Sequence, residues 1–393
     1  MANLTVPTVE PVSNHDNSRY PAVVAIIPAL NEEALVQKSL RSLLEQKSIS
    51  LVEVLLVADN CTDSTVEVAN SLRDEFPVLR VIESQENRAG KSGAMNQGLK
   101  FLLNTNADYI LQMDADTILN EHALIRAIEQ LEPDSSLGGV CARFRILPVE
   151  VGGFTEKLLW KFQNLEYGLR DVATIQSFGK DVSLLSGRAS VFRYETLTEL
   201  LEDRGYVWDE NCEVEDHELT LALKKKGWET AVGMKMLAVT SVPTSIEGWL
   251  KQRTRWYIGT VKLIKKERFS KHTRKDSFTL LSLLFWLPLR ISFQAWIIML
   301  LAGIGEYQFN LVFTVLAAVL WFFQLVKLQY VPDRDKWQTL LVATIVPYEL
   351  YATIRDLVLF VSSILGLMPS RRDKRTFIKS FYTFDKEDRT IIK

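Results

Sequence analysis

Asp108-Tyr109-Ile110-Leu111-Gln112-Met113-Asp114-Ala115-Asp116 decides the fold class: a short apolar run that breaks off into two acids one residue apart. Runs of this length and texture are the strands that parallel sheets bury under helices on both faces. Working outward, the same texture recurs at Ala22–Ile27, Glu53–Ala58, Leu79–Glu83 and Gly139–Arg145. Between these predicted strands, Glu32–Gln46, Asp63–Glu75, Ser92–Leu103 and Glu121–Leu131 carry apolar residues at helical spacing. Strand–helix–strand alternation of this kind predicts a mostly parallel, Rossmann-like α/β sheet over residues 21–146. Ligands of such sheets bind beyond the carboxyl ends of the strands.

Further along, residues 147–268 change texture. Longer helices are predicted at Phe154–Ile175, Asp216–Lys226 and Glu247–Lys266, separated by short strand-like pieces at Val182–Leu185, Ser190–Arg193 and Met236–Val242. This part reads as a second lobe built onto the first sheet. After the basic stretch Lys262–Lys275 the chain turns apolar, and 277–368 reads as membrane helices. Leu280–Ile304 (which contains Pro288 and Arg290) and Phe309–Val326 are each long enough to cross a hydrocarbon core of ~30 Å at about 1.5 Å per residue. A third stretch, Thr339–Met368, is interrupted by Pro347, Glu349, Arg355 and Asp356, so two spans plus an interfacial helix or a broken hairpin are expected. Buried helices of a soluble domain are the alternative; Trp and Phe near the segment ends favour the bilayer. The basic segments Lys327–Lys336 and Arg371–Arg375 both belong on the cytoplasmic side by the positive-inside rule. Residues 1–20 are polar and lack the basic and apolar regions of a signal peptide. They read as a flexible lead-in to a cytoplasmic catalytic portion, and 369–393 as a basic tail.

Composition narrows the classes. Lys+Arg 46 against Asp+Glu 48 gives a net charge of -2, which argues against a protein that coats nucleic acid. Cys61, Cys141 and Cys212 lie far apart with no CxxC pair, which excludes a disulfide scaffold or a cysteine zinc cluster. The four histidines show no metal spacing, and no Ser/His/Asp arrangement presents itself.

Five segments carry candidate chemistry. Asp59 ends the Glu53–Ala58 strand, where a carboxylate either meets a nucleotide base or ribose or merely shapes the turn; Asp63 is placed to cap the next helix. Asn87-Arg88-Ala89-Gly90-Lys91-Ser92-Gly93 is a basic, glycine-containing loop at a helix N-terminus, suited to phosphate or ribose oxygens, but it lacks P-loop spacing. Asp114 and Asp116 offer hard oxygen ligands for Mg²⁺ or Mn²⁺ shared with a diphosphate, although Asp-x-Asp triplets also occur by chance in loops. Glu213-Val214-Glu215-Asp216 either decorates a helix N-terminus or supplies a general base at Asp216. Gln252, Arg255 and Trp256 share one helical face, which can stack on a sugar and bind a diphosphate or equally anchor at a membrane interface.

In this order the segments resemble the inverting, processive family 2 glycosyltransferases with a GT-A fold, which include cellulose, chitin, hyaluronan and poly-N-acetylglucosamine synthases. Ile26-Ile27-Pro28-Ala29-Leu30-Asn31-Glu32 looks like the opening strand, and Gly90-Lys91-Ser92-Gly93-Ala94-Met95-Asn96 like the basic segment. Asp114 and Asp116 match Asp-x-Asp, Glu215-Asp216 the end of Thr-Glu-Asp, and Gln252, Arg255 and Trp256 match Gln-x-x-Arg-Trp. The run Ser183–Arg193 is similar to the acceptor-side segment of hyaluronan and chitin synthases. The resemblance implies that Asp59 and Lys91 hold the nucleotide, and that Asp114 and Asp116 hold Mg²⁺ or Mn²⁺ with the diphosphate. It implies Asp216 as the base. Gln252, Arg255 and Trp256 close over the donor, while Ser186, Gly187, Arg188, Glu215 and Trp256 line the acceptor site. Two departures stand out: Val214 replaces the usual Thr, and no apolar segment precedes residue 21, where most cellulose- and hyaluronan-type synthases carry helices.

The expected activity is therefore a membrane-bound inverting transferase that moves a sugar from a UDP-sugar to a growing β-linked polysaccharide. The alternative is a single addition to a lipid or other membrane-held acceptor. A membrane scaffold with a decayed site is opposed by the presence of every matched acid. The expected partners are a UDP-sugar, a glycan or glycolipid acceptor and the bilayer, with a homo-oligomer or export partner and no nucleic acid.

Overall fold

The computed structural model describes residues 20–103, 105–148, 152–268, 270–302, 311–329, 331, 335–344 and 346–368. The expected N-terminal lead-in (apart from Tyr20) and the basic tail 369–393 lie outside the described residues.

The first half alternates strands β1 (Ala22–Ala29), β2 (Ser50–Ala58), β3 (Leu79–Glu83) and β4 (Tyr109–Met113) with helices α1 (Val36–Leu44), α2 (Thr65–Asn70) and α3 (Lys91–Leu102). Next come β5 (Thr117–Leu119), α4 (Ala123–Leu131), β6 (Leu137–Ile146), α5 (Phe154–Gln176), β7 (Ala189–Arg193), α6 (Tyr194–Arg204), α7 (Glu215–Lys225), β8 (Glu229–Thr240) and α8 (Ile246–Glu267). All eight strands join one sheet in the order β3-β2-β1-β4-β7-β6-β8-β5. Pairings among β3, β2, β1 and β4 are parallel, whereas β7 runs antiparallel to both β4 and β6. That reversal brings the start of β7 beside the end of β4, where Met113 faces Ala189.

Every residue of β1 is buried, because helices cover both faces. Val23, Ala25 and Ile27 pack with Val36, Leu40 and Leu43 of α1 and with Leu124 and Ile128 of α4. Val24 and Ile26 point the other way, into a second apolar cluster with Met95 and Leu99 of α3 that extends to Leu197 of α6 and Leu219 of α7. Period-2 alternation thus feeds two apolar layers from one strand. Each fully buried aliphatic side chain contributes about 1.5–3 kcal/mol, so this strand is the anchor of the domain.

Three local expectations need correction. Val182–Leu185 forms no strand: Val182 N–H donates to Thr230 O (3.2 Å), but Leu185 N–H donates to the Thr220 hydroxyl (2.8 Å), a helix side chain in place of a ladder partner. Asp63 lies one residue ahead of the cap position Ser64, and its carboxylate takes the Thr65 N–H (3.1 Å). The helix there is also short, ending at Asn70.

The apolar region folds as α9 (Arg274–Ala302), α10 (Leu311–Leu328), α11 (Lys336–Ala343) and α12 (Val346–Leu367). Among the described residues, two segments are long and apolar enough to cross a membrane, Arg274–Trp296 and Pro347–Leu367. The second corrects the expected interruption at Pro347. The break falls one step earlier, between α11 and α12, and Pro347 sits in the first turn of α12, where its missing N–H costs nothing. Glu349, Arg355 and Asp356 do not split the helix either. Arg290 of α9 pairs with Glu349 (3.1 Å) and with Asp356, and Arg355 pairs with Asp356 (3.0 Å), so the charges neutralise one another between helices.

Candidate active site

Asp59 follows β2 and is buried; its Oδ1 accepts from Ser84 Oγ, Asn87 Nδ2 and Asn60 Nδ2, each at 2.8 Å. Three donors on one oxygen fix the carboxylate and leave Oδ2 for an incoming donor. The second amide proton of Asn87 goes to Gly90 O (2.7 Å), which ties Asp59 to the loop that launches α3. Gly90 caps that helix at φ 62, a left-handed conformation open to glycine, and so delivers Lys91 at the helix's first position.

Lys91 is the hinge of the site. Its ammonium lies 2.6 Å from Asp114 Oδ1 and 3.1 Å from Glu215 Oε1, and it donates to Gly187 O at 3.4 Å. One cation thereby joins the end of β4, the start of α7 and the turn before β7. Asp216 is held from two sides, accepting from Gly187 N–H (3.0 Å) and from its neighbour His217 N–H (2.8 Å). A Cβ at Gly187 would lie 2.8 Å from Lys91 Nζ and 3.0 Å from Gln112 Nε2, so a larger residue there would push these two side-chain ends out of place. Gln112 is buried, accepts from Trp208 Nε1 (2.9 Å) and donates to Gly187 O (3.3 Å).

Charges in this cluster shift one another. Burial disfavours the Lys91 ammonium, yet Asp114, Glu215 and Asp216 hold its pKa above the usual lysine value. Burial opposes Glu215 as well, but Lys91 and then Arg255 keep it below the usual carboxylate range. Asp216 moves the other way, raised first by burial and then by the Glu215 charge. Asp114 is raised by burial, with Asp116 adding to the effect against Lys91. Asp114, Glu215 and Asp216 thus act on Lys91, with Asp116 acting on Asp114 and Arg255 on Glu215, an excess of negative charge that a divalent cation would offset.

The donor set fits such an ion in part. Asp116 accepts from Ser241 Oγ and Asp114 meets Lys91 through Oδ1, and among the described residues each retains a second carboxylate oxygen without a side-chain partner. Among the described residues no third His, Cys, Asp or Glu joins them to form a closed cage. Two carboxylates with the remaining ligands from phosphate and water is a normal arrangement for Mg²⁺.

The expected residues of α8 reach the same place. Arg255 acts on Glu215, and Trp256 lies under the Arg188 guanidinium, 5.4 Å from Cζ to ring centre. Gln252 Oε1 is buried without a partner among the described residues, an acceptor open to a ligand donor. Ser186 shapes the turn, its carbonyl accepting from Ser190 Oγ (2.7 Å). Asp59 stands apart, linked to the acids only through Asn87 and the loop to Lys91. Sequence reasoning missed Gln112, Glu166 and Tyr167. A Glu on the apolar stripe of α5, among Phe162, Leu165 and Val172, was the available signal.

Residues 21–259 match the model of the family described as "Glycosyltransferase like family 2". The chain belongs to this family. Similar proteins include the Poly-beta-1,6-N-acetyl-D-glucosamine synthase of Staphylococcus aureus (strain COL), 27% identical over 265 residues, or 67% of this chain and 60% of the relative. The namesake of Staphylococcus epidermidis is 25% identical, covering 72% of this chain and 66% of the relative. This family 2 chain therefore spans less than two thirds of the length of the curated relatives it matches. A solved mannosyltransferase from Pyrobaculum calidifontis, in complex with GDP-Man and Mn²⁺, shares the fold with a TM-score of 0.51 at 18% identity, over 90% of this chain and 89% of its own. The fold is of the GT-A type.

Proposed function

We propose that this family 2 chain is a membrane-bound inverting glycosyltransferase that adds sugars from a UDP-sugar to a growing β-linked polysaccharide by single displacement. The observation that carries the proposal is Lys91 joining Asp114 to Glu215, with Asp216 held next to them by Gly187. The names of the curated relatives support UDP-N-acetylglucosamine as the first donor to try.

In the proposed reaction the Asp216 carboxylate takes the proton of an acceptor hydroxyl, and a raised pKa makes it the better base. The hydroxyl oxygen attacks the anomeric carbon as the bond to the diphosphate oxygen breaks, and UDP departs with that electron pair. Inversion follows from one displacement, with no covalent sugar–enzyme step. Asp114 and Asp116 would hold Mg²⁺ or Mn²⁺, which supplies charge neutralisation to the leaving diphosphate. Lys91 adds its own positive charge, Asp59 orients the nucleoside, and Trp256 offers a stacking face for the acceptor sugar. The apolar helices α9 and α12 would hold the site at the bilayer, with the basic stretch Lys262–Lys275 on the cytoplasmic side.

Membranes bearing the full chain, incubated with radiolabelled UDP-N-acetylglucosamine and other UDP-sugars, test the reading directly. A metal-dependent polymer is the expected product. A single-sugar glycolipid would replace the processive reading by a single-addition one, and absence of any transfer from every UDP-sugar would defeat both.

A further inference from the structure

Two consecutive residues of α5, Glu166 and Tyr167, lie outside every motif matched above, yet both reach the surroundings of Trp256. Glu166 Oε2 accepts from Arg253 Nη2 (3.0 Å), and the Arg253 guanidinium lies 4.9 Å from the Trp256 ring centre. Tyr167 Oη accepts from Arg188 Nη2 (2.6 Å), and Arg188 lies 5.4 Å from the same ring. Trp256 is therefore flanked by two guanidinium groups, and each is anchored by a different residue of one helix turn. A cation over an indole face is attracted by the ring quadrupole, so fixing the cations fixes the ring.

The anchor itself is rigid. Glu166 and Arg253 are among the most buried charged side chains, 4% and 1% exposed. Tyr351 Oη of α12 also donates to Glu166 Oε2 (2.6 Å), and its ring stacks on Phe162 at 4.9 Å. A buried carboxylate with this many partners has one geometry, since leaving any partner unpaired in the interior is costly.

We infer that Glu166 and Tyr167 are positioning residues for the Trp256 acceptor platform, and that α12 fastens that platform through Tyr351. The inference rests on the transferase reading for its kinetic consequence, but not for its structural one. Acceptor recognition, which relies on the Trp256 face, is the step most affected; the UDP moiety is held chiefly around Asp59 and Lys91.

The test uses the full chain in detergent or nanodiscs with E166Q, Y167F and W256F. Subtracting the W256F emission spectrum isolates the Trp256 contribution, in the parent and in the Y167F background, without any substrate. A shifted Trp256 emission in Y167F is expected. So is an acceptor KM raised by about tenfold or more, the scale of losing a hydrogen bond to a charged group, with UDP affinity within about twofold of the parent. E166Q is expected to do the same more severely; should it fail to fold, Y167F decides alone. Unchanged emission and unchanged acceptor KM in Y167F would overturn the inference. So would UDP affinity and acceptor use falling together, which marks general loss of structure. A shifted emission in a protein that transfers no sugar removes the transferase reading and keeps this one; transfer without the shift does the reverse.

Discussion

The cluster around Lys91 and the cluster around Glu166 are made of the same kinds of group and serve opposite ends. Around Lys91, carboxylates outnumber cations, and about 30% of the Lys91 and Asp114 side chains remains exposed. Around Glu166 the balance is reversed: one carboxylate faces Arg170, Arg253 and Arg355, and the Glu166–Arg253 pair is closed off from solvent. Open and undercompensated charge leaves work for a ligand. Closed and compensated charge holds elements together.

The contrast breaks first at its most reactive member. Asp216→Asn should lower transfer by about a thousandfold, since it removes the proposed general base, while UDP affinity measured by calorimetry stays within about twofold. Normal turnover would place the base elsewhere. In the closed cluster, Arg253→Met should leave Glu166 buried without its main partner and destabilise the fold by about 3–5 kcal/mol, read as a large fall in melting temperature in detergent. A small fall would mean that Arg170 and Arg355 suffice.

Smaller effects sharpen the difference. Gly187→Ala inserts a methyl 2.8 Å from Lys91 Nζ and should cost about ten- to a hundredfold in transfer by displacing the ammonium, with melting nearly unchanged. Asp116→Ala should weaken Mn²⁺-dependent UDP binding by about tenfold or more, while binding in EDTA remains as in the parent; equal metal dependence in both proteins would count against the ion site. The slightest effect is on pH. Burial pushes the Glu166 carboxyl up, but Arg253 and its companion arginines outweigh it and hold it below the ordinary value. A depressed carboxyl stabilises the fold above the unfolded pKa of about 4.3 and loses that contribution as pH falls through the folded value. The melting-temperature gap between the parent and E166Q should therefore stay constant from pH 7 to about pH 5 and close only in stronger acid.

What could be read beforehand followed chain-local physics. Continuous apolar runs marked β1, β2 and β4, and the acids at their ends marked Asp59 and Asp114, because parallel strands leave their mark in contiguous residues. The Val182–Leu185 run reads as a strand from its apolar residues, yet the Leu185 N–H is satisfied by the Thr220 hydroxyl, a partner no local pattern reveals. Thr117–Leu119 as a strand and Tyr194–Arg204 as a helix went unanticipated; the first exists only through its pairing with β8. Glu166 and Tyr167 were silent for a related reason: their partners lie 87 and 21 residues away, and only tertiary folding brings them together. In the apolar region, charge within Pro347–Leu367 read as an interruption because its counter-ion sits on another helix.

That counter-ion carries a mechanical implication. Arg290 grips Glu349 and Asp356, seven positions apart, or about 10 Å along the helix axis. A two-point grip of that span keys α9 and α12 in register, so neither can slide past the other like a piston. Any displacement of one helix along its axis therefore pulls on the other, and the pair behaves as a single strut.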